Sequence, residues 1–261
     1  MLTQTADGVF VRQSSFCQSN AVVIADAGGV LLVDPGVDGD DLAGLADDLA
    51  GMGAIPAAGF STHPHWDHVL WHVRFGEVPR YGTRTCAAVA QERLGKLRDM
   101  AAGLAPGAPL DLLGAITALP AGSTRVPLRE RSVRVIEHQA HAPGHAALLI
   151  DDAHVLVAGD MLSDVEMPLL DPKGNDQCKE YLAALDELEM VCEAGVTTVI
   201  PGHGSVAHGA GIHLRIELDR AYIQALQAGA DPADPRIGPT ATYGTDWLPQ
   251  AHQTNLCIAR R

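Results

Sequence analysis

The chain has 261 residues, 32 acidic against 18 basic, for a formal charge of −14, and 47% of its residues are apolar. A chain of this size and apolar content removes roughly three quarters of its unfolded surface from water, which fits one large domain spanning 1–261 and excludes intrinsic disorder. No cluster of Lys and Arg is available to neutralise phosphates, so the partner expected is a small-molecule substrate rather than nucleic acid.

Cys17, Cys86, Cys178, Cys192 and Cys257 are odd in number, widely spaced and never paired as C-x-x-C. Free thiols in a reducing compartment are expected, with neither a disulfide framework nor a cysteine-built zinc site. The opening MLTQTADGVF lacks the charged start and apolar run of a signal peptide, and no window approaches ~18 uninterrupted apolar residues. The expectation is a soluble cytoplasmic protein with no membrane contact, and a homodimer stays open.

Short strand-type runs open the chain at Val9–Arg12, Ala21–Ala25 and Val30–Val33, separated by Asn20 and Gly28-Gly29. Asp40 to Met52 places Leu42, Leu45, Leu49 and Met52 at helical spacing behind an acidic start. A strand at 57–62 runs straight into HPHWDH at 63–68. A helix is predicted over Thr85–Ala101, then a Pro- and Gly-rich loop at 103–109 and strands at Ile116–Leu119, Val133–His138, Ala147–Ile150 and Val155–Ala158. Helical spacing returns at Tyr181–Val191, followed by a buried strand in 197–203 and a helix around Leu214–Leu226. The order is β-rich, helix, β-rich, helix, which packs most economically as two sheets face to face with helices outside. Residues 229–261 are expected as an irregular tail lying on the domain.

The chemistry concentrates in His63, His65, Asp67 and His68. At this composition a chance H-x-H-x-D-H has probability on the order of 0.002. In an extended or tightly turned segment His63 and His65 point the same way and share one cation, while Asp67 and His68 reach a second. The remaining donors are sought at strand ends flanked by glycine, at His145, Asp160 and His203. The expected set is His63, His65 and His145 on one ion, and Asp67, His68 and His203 on the other. Asp160 bridges ions roughly 3.5–4 Å apart. Nitrogen and oxygen donors without thiolate suit two Zn²⁺ per chain, with iron or manganese as alternatives. His72, His138 and His141 are expected as hydrogen-bonded structural histidines, with a supporting role beside the ligands open to His141.

In this order, Asp34 in LLVDPG, HPHWDH, His145, Asp160 and His203 resemble the metallo-β-lactamase fold superfamily over most of the chain. The resemblance implies an αββα sandwich of two mixed sheets flanked by helices, with a dinuclear site on one edge. It also implies that Asp34 steadies the metal-binding loop. A metal-bridging hydroxide attacking a small ester, lactone or thioester is the expected reaction, with Asp67 and Asp160 as the catalytic carboxylates. Asp160 counts against penicillin-like substrates, since the β-lactamases of the superfamily usually lack that aspartate, and the acidity and the short 160–203 interval count against RNA-processing members. The alternatives are a mononuclear-iron persulfide dioxygenase, its triad drawn from His65, His145 and Asp160, and then a phosphodiesterase or β-lactamase-like hydrolase. Met161, Leu162, Met167, Leu169 and Leu170 suit either an apolar wall beside the metals or ordinary core. Trp66 and Trp71 suit either core or the rim of the entrance.

Overall fold

The computed structural model describes residues 1–105 and 107–260. The first sheet holds seven strands in chain order: β1 (Thr3–Ala6), β2 (Val9–Gln13), β3 (Asn20–Asp26), β4 (Gly29–Val33), β5 (Pro56–Phe60), β6 (Arg80–Gly82) and β7 (Thr117–Ala118). β1 to β4 pair antiparallel, and β4 through β7 run parallel. The second sheet has the order β12 (Ala207–His208), β11 (Thr198–Pro201), β10 (Val155–Gly159), β9 (His145–Ile150), β8 (Val133–His138). Only its β10–β11 pair is parallel.

Alternation along the strands makes the layers. Leu31 and Val33 of β4 join Leu148 and Ile150 of β9 in the core between the sheets. Leu32 faces the other way, onto α1 (Gly39–Met52), α2 (Arg84–Glu92) and α3 (Leu94–Leu104). Leu149 and Leu156 face outward too, onto α4 (Gln177–Glu193), α5 (Ala210–Gln227) and α6 (Leu248–Ala259). These strands are buried on both faces, which is why they read as nearly unbroken apolar runs. The architecture is two mixed sheets flanked by helices, as expected. No described helix is long and apolar enough to cross a membrane, and all five cysteines are unpaired.

The differences from expectation are local. The helix predicted over Thr85–Ala101 is two helices, broken at Arg93, whose φ −100 and ψ 11 leave the helical region. β1, β6 and β12 have four, three and two residues, too short to show a period. The tail expected to be irregular carries α6. Its buried residues Leu248, His252, Asn255 and Leu256 keep helical spacing, but two are polar, which hides the apolar stripe.

Candidate metal centre

The chain meets the site at one edge of the sandwich, where strands of both sheets end. β4 ends before Asp34, β5 runs into the loop carrying His63 and His65, and a short 3₁₀ turn over Trp66–His68 follows. β10 delivers Asp160, β11 delivers His203, and the β8–β9 connection delivers His141. The two sheets are stitched here by Asn20 N–H donating to Gly202 O at 2.7 Å and Ala146 N–H to Thr62 O at 2.9 Å. Glycine is required at two points, since a side chain at Gly202 would collide with the Asp160 carboxylate and one at Gly159 with the His145 ring.

Two groups of donor atoms result. In the first, His65 Nδ1 lies 3.0 Å from His63 Nε2 and 3.1 Å from His141 Nε2, and Asp160 Oδ2 lies 3.4 and 3.3 Å from the same two Nε2 atoms. In the second, His68 Nε2 and His203 Nε2 are 3.3 Å apart. Asp67 Oδ2 sits 3.4 and 3.2 Å from them, and Asp160 Oδ1 lies 3.2 Å from His68 Nε2. The two oxygens of Asp160 are thus divided between the groups.

The outer partners of the rings decide what points inward. Thr62 Oγ1 donates to Asp34 Oδ2 at 2.6 Å, so it accepts from His63 Nδ1 at 3.0 Å. His68 Nδ1 donates to Asp34 Oδ2 at 2.9 Å, and His203 Nδ1 to Cys17 O at 2.9 Å. Each of these three rings therefore turns Nε2 into the site; burial opposes a second proton on His68 and His203, but the neighbouring carboxylates outweigh it and raise both well above the ordinary value. Nitrogens and carboxylate oxygens crowded this closely need a proton or a cation between them, and a set of imidazole Nε2 atoms and two carboxylates is one that divalent metal ions take in place of the protons. Burial keeps His63 well below its ordinary pKa and takes His65 to about 3, which leaves both rings neutral. Burial opposes charge on Asp67 and Asp160, but the neighbouring imidazoles, His68 foremost, outweigh it and hold both carboxyls well below the usual range.

One expected ligand lies outside both groups. His145 is the first residue of β9, and its ring nitrogens face His138 Nε2 at 3.2 Å and the backbone N–H of Asp160 at 3.1 Å. His141 stands in its place. Its φ of +67 turns its side chain into the site, a backbone state that sequence does not reveal for histidine. The iron triad drawn from His65, His145 and Asp160 loses a member with this correction. Asp34, also at positive φ (+46), holds Thr62 N–H, Thr62 Oγ1 and His68 Nδ1. It steadies the loop without facing the cation positions.

Met161, Leu162, Met167 and Leu170 are buried against α4, α5 and α6, with Leu169 packed on them, so this segment is core. Trp71 is buried, and Trp66 packs on the core beneath the first sheet. His72 accepts from Arg74 N–H away from the site. A buried carboxyl that the sequence reasoning did not single out, Glu166, lies 3.7 Å from His203 Nδ1, and burial pushes it above its ordinary pKa. The only signal for it was an acidic residue inside the apolar run MLSDVEMPLL.

The sequence profile of the metallo-beta-lactamase superfamily matches residues 14–203, well over half of the chain. The chain belongs to that superfamily. Its fold is similar to that of a beta-lactamase domain protein from Burkholderia ambifaria, at 21% identity and TM-score 0.66, covering 87% of this chain and 78% of that one. It is also similar to a metallo-beta-lactamase family protein from Thermus thermophilus, at 21% identity and TM-score 0.63, covering 85% and 81%. TTHA1623, solved in a di-iron-bound form, is 28% identical with TM-score 0.61, covering 79% of this chain and 98% of that one. No protein of curated function matches the chain.

Proposed function

We propose that this member of the superfamily is a hydrolase with two divalent cations that cleaves a small carbonyl substrate, an ester, lactone or thioester. The observation that carries the reading is the division of Asp160, with Oδ2 toward His63 and His141 and Oδ1 toward His68. Three histidines with one oxygen would hold the first ion, and Asp67, His68 and His203 with the other oxygen the second. Bound there, such ions supply a water of pKa near 7 and polarise a carbonyl. Nitrogen and carboxylate donors without thiolate favour zinc, with iron or manganese as alternatives, and a relative solved in a di-iron form supports the iron option.

The protein's own groups do the rest. Asp67 keeps more side-chain exposure than Asp160, 14% against 6%. It is therefore the carboxylate on the solvent side of the site, placed to orient an incoming water. His63 and His65 stay neutral because burial disfavours a proton on them. The net charge of −14 repels anions at long range, so substrate selection rests on short-range contacts at the site rather than on steering.

The test is a metal-quantified preparation assayed on lactones, thioesters, phosphodiesters and β-lactams. About two metals per chain with turnover of a lactone or thioester supports the proposal. One iron per chain with thiol-dependent oxygen uptake replaces it with the dioxygenase reading.

A further inference from the structure

The segment following α5 lies beyond the residues matched by the superfamily profile, yet it reaches the groups behind His203. Its Tyr243 hydroxyl lies 2.8 Å from Glu166 Oε1 and 3.0 Å from Cys17 O. Those two oxygens also face His203 Nδ1, at 3.7 and 2.9 Å. The carbonyl that fixes the His203 tautomer is thus itself held by a phenol from the far end of the chain.

The phenol is anchored on both sides. Upstream, buried Arg236 donates to Ser163 O at 3.0 Å and Glu166 O at 2.9 Å. Downstream, Asn255 of α6 donates to Pro168 O and accepts from Leu170 N–H, and Leu248 is fully buried. These contacts grip the 160–170 loop, which begins at the bridging carboxylate. The Cys17 carbonyl lies outside both neighbouring strands. It lies in the β2–β3 connection beside exposed Phe16 and before Gln18, which is at φ +52.

We propose that Tyr243 is a positioning residue for His203: by sharing its single hydroxyl proton between the Cys17 carbonyl and the Glu166 carboxyl, it keeps Nε2 of His203 aimed at the second cation position. The inference rests on the two-cation reading above. Groups that orient a metal-binding histidine are typically worth 10–100-fold in metal affinity.

The test is Tyr243→Phe in the full-length chain, stripped with chelator and titrated with Co²⁺ while the visible d–d absorption and melting temperature are followed. The first equivalent is expected to bind as in the parent. The second is expected to bind about 10–100-fold more weakly with an altered spectrum. Parent-like binding of both equivalents overturns the proposal. Should Tyr243→Phe fail to fold, Glu166→Gln takes its place in the same titration, with the same results counting for and against. Asp67→Ala separates the two layers. If the parent itself binds a single equivalent, the two-cation reading fails; if the parent binds two and Asp67→Ala loses the second while Tyr243→Phe keeps it, only the role of Tyr243 falls.

Discussion

Nε2 of His145 accepts the backbone N–H of Asp160 at 3.1 Å. A backbone amide can only donate, so the His145 proton sits on Nδ1 and is given to His138 Nε2 at 3.2 Å. The two rings stack with centroids 4.6 Å apart. Burial keeps both neutral, taking His138 to about 3 and His145 well below its ordinary value. His145 thus fixes the backbone from which the Asp160 carboxylate projects. His141→Ala should strip the first cation position, whereas His145→Ala should still bind both ions, about 10–100-fold more weakly. It should also lose at least about 1–3 kcal/mol of stability from the orphaned Asp160 N–H. Metal content after dialysis and chemical denaturation distinguish the two variants.

Asp160 has one oxygen for each group of donors. Asp160→Ala is expected to keep the fold, retain one metal per chain and lose most turnover. A variant with full activity and two metals would remove the bridging role.

Asp34 accepts Thr62 N–H on Oδ1 and both Thr62 Oγ1 and His68 Nδ1 on Oδ2. Asparagine tolerates the left-handed backbone found there, but its NH₂ cannot accept from His68 Nδ1–H. The ring would then turn its proton inward, onto the nitrogen that should bind the cation. Asp34→Asn should lower affinity at the second position about 10–100-fold with the fold intact, read by competition with a chromogenic chelator.

Asp26 links the β3–β4 turn to the approach of β8, accepting backbone N–H groups from Arg129, Glu130 and Arg131 at 3.0, 2.9 and 2.7 Å. Burial disfavours its charge, but these bonds outweigh that and hold its carboxyl at about 2, below its ordinary 3.8. A depressed folded-state pKa contributes stability above the unfolded value and loses it as pH falls toward the folded one. The contribution should be complete above pH 4 and fade toward pH 2. Asp26→Ala should flatten this part of the acid limb in a pH series of urea midpoints.

Arg236 is buried between Asp219 at 2.6 Å and Asp234 at 2.7 Å, while Asp219 also receives Leu162 N–H at 3.0 Å. Arg236→Met leaves two buried carboxylates without their cation, and an expected loss of about 3–5 kcal/mol follows. The double replacement Arg236→Met with Asp219→Leu should recover part of it, as measured by urea unfolding.

Periodicity alone set the order of most strands and helices, because burial on one or both faces writes a period of two, a helical stripe or an unbroken apolar run into the chain. The H-x-H-x-D-H segment likewise announced a metal centre, since so many donors in six residues have few other uses. Packing decided the rest. Which histidine of HAPGH turns inward depends on a single dihedral at His141, and the fate of Met161–Leu170 depends on helices that arrive later in the chain. The same holds for Tyr243, whose hydroxyl meets Cys17 across 226 positions of sequence. Local pattern encodes which face of an element is apolar, but the direction of one polar side chain is fixed by backbone angles and distant neighbours, and these exist only once the chain has folded.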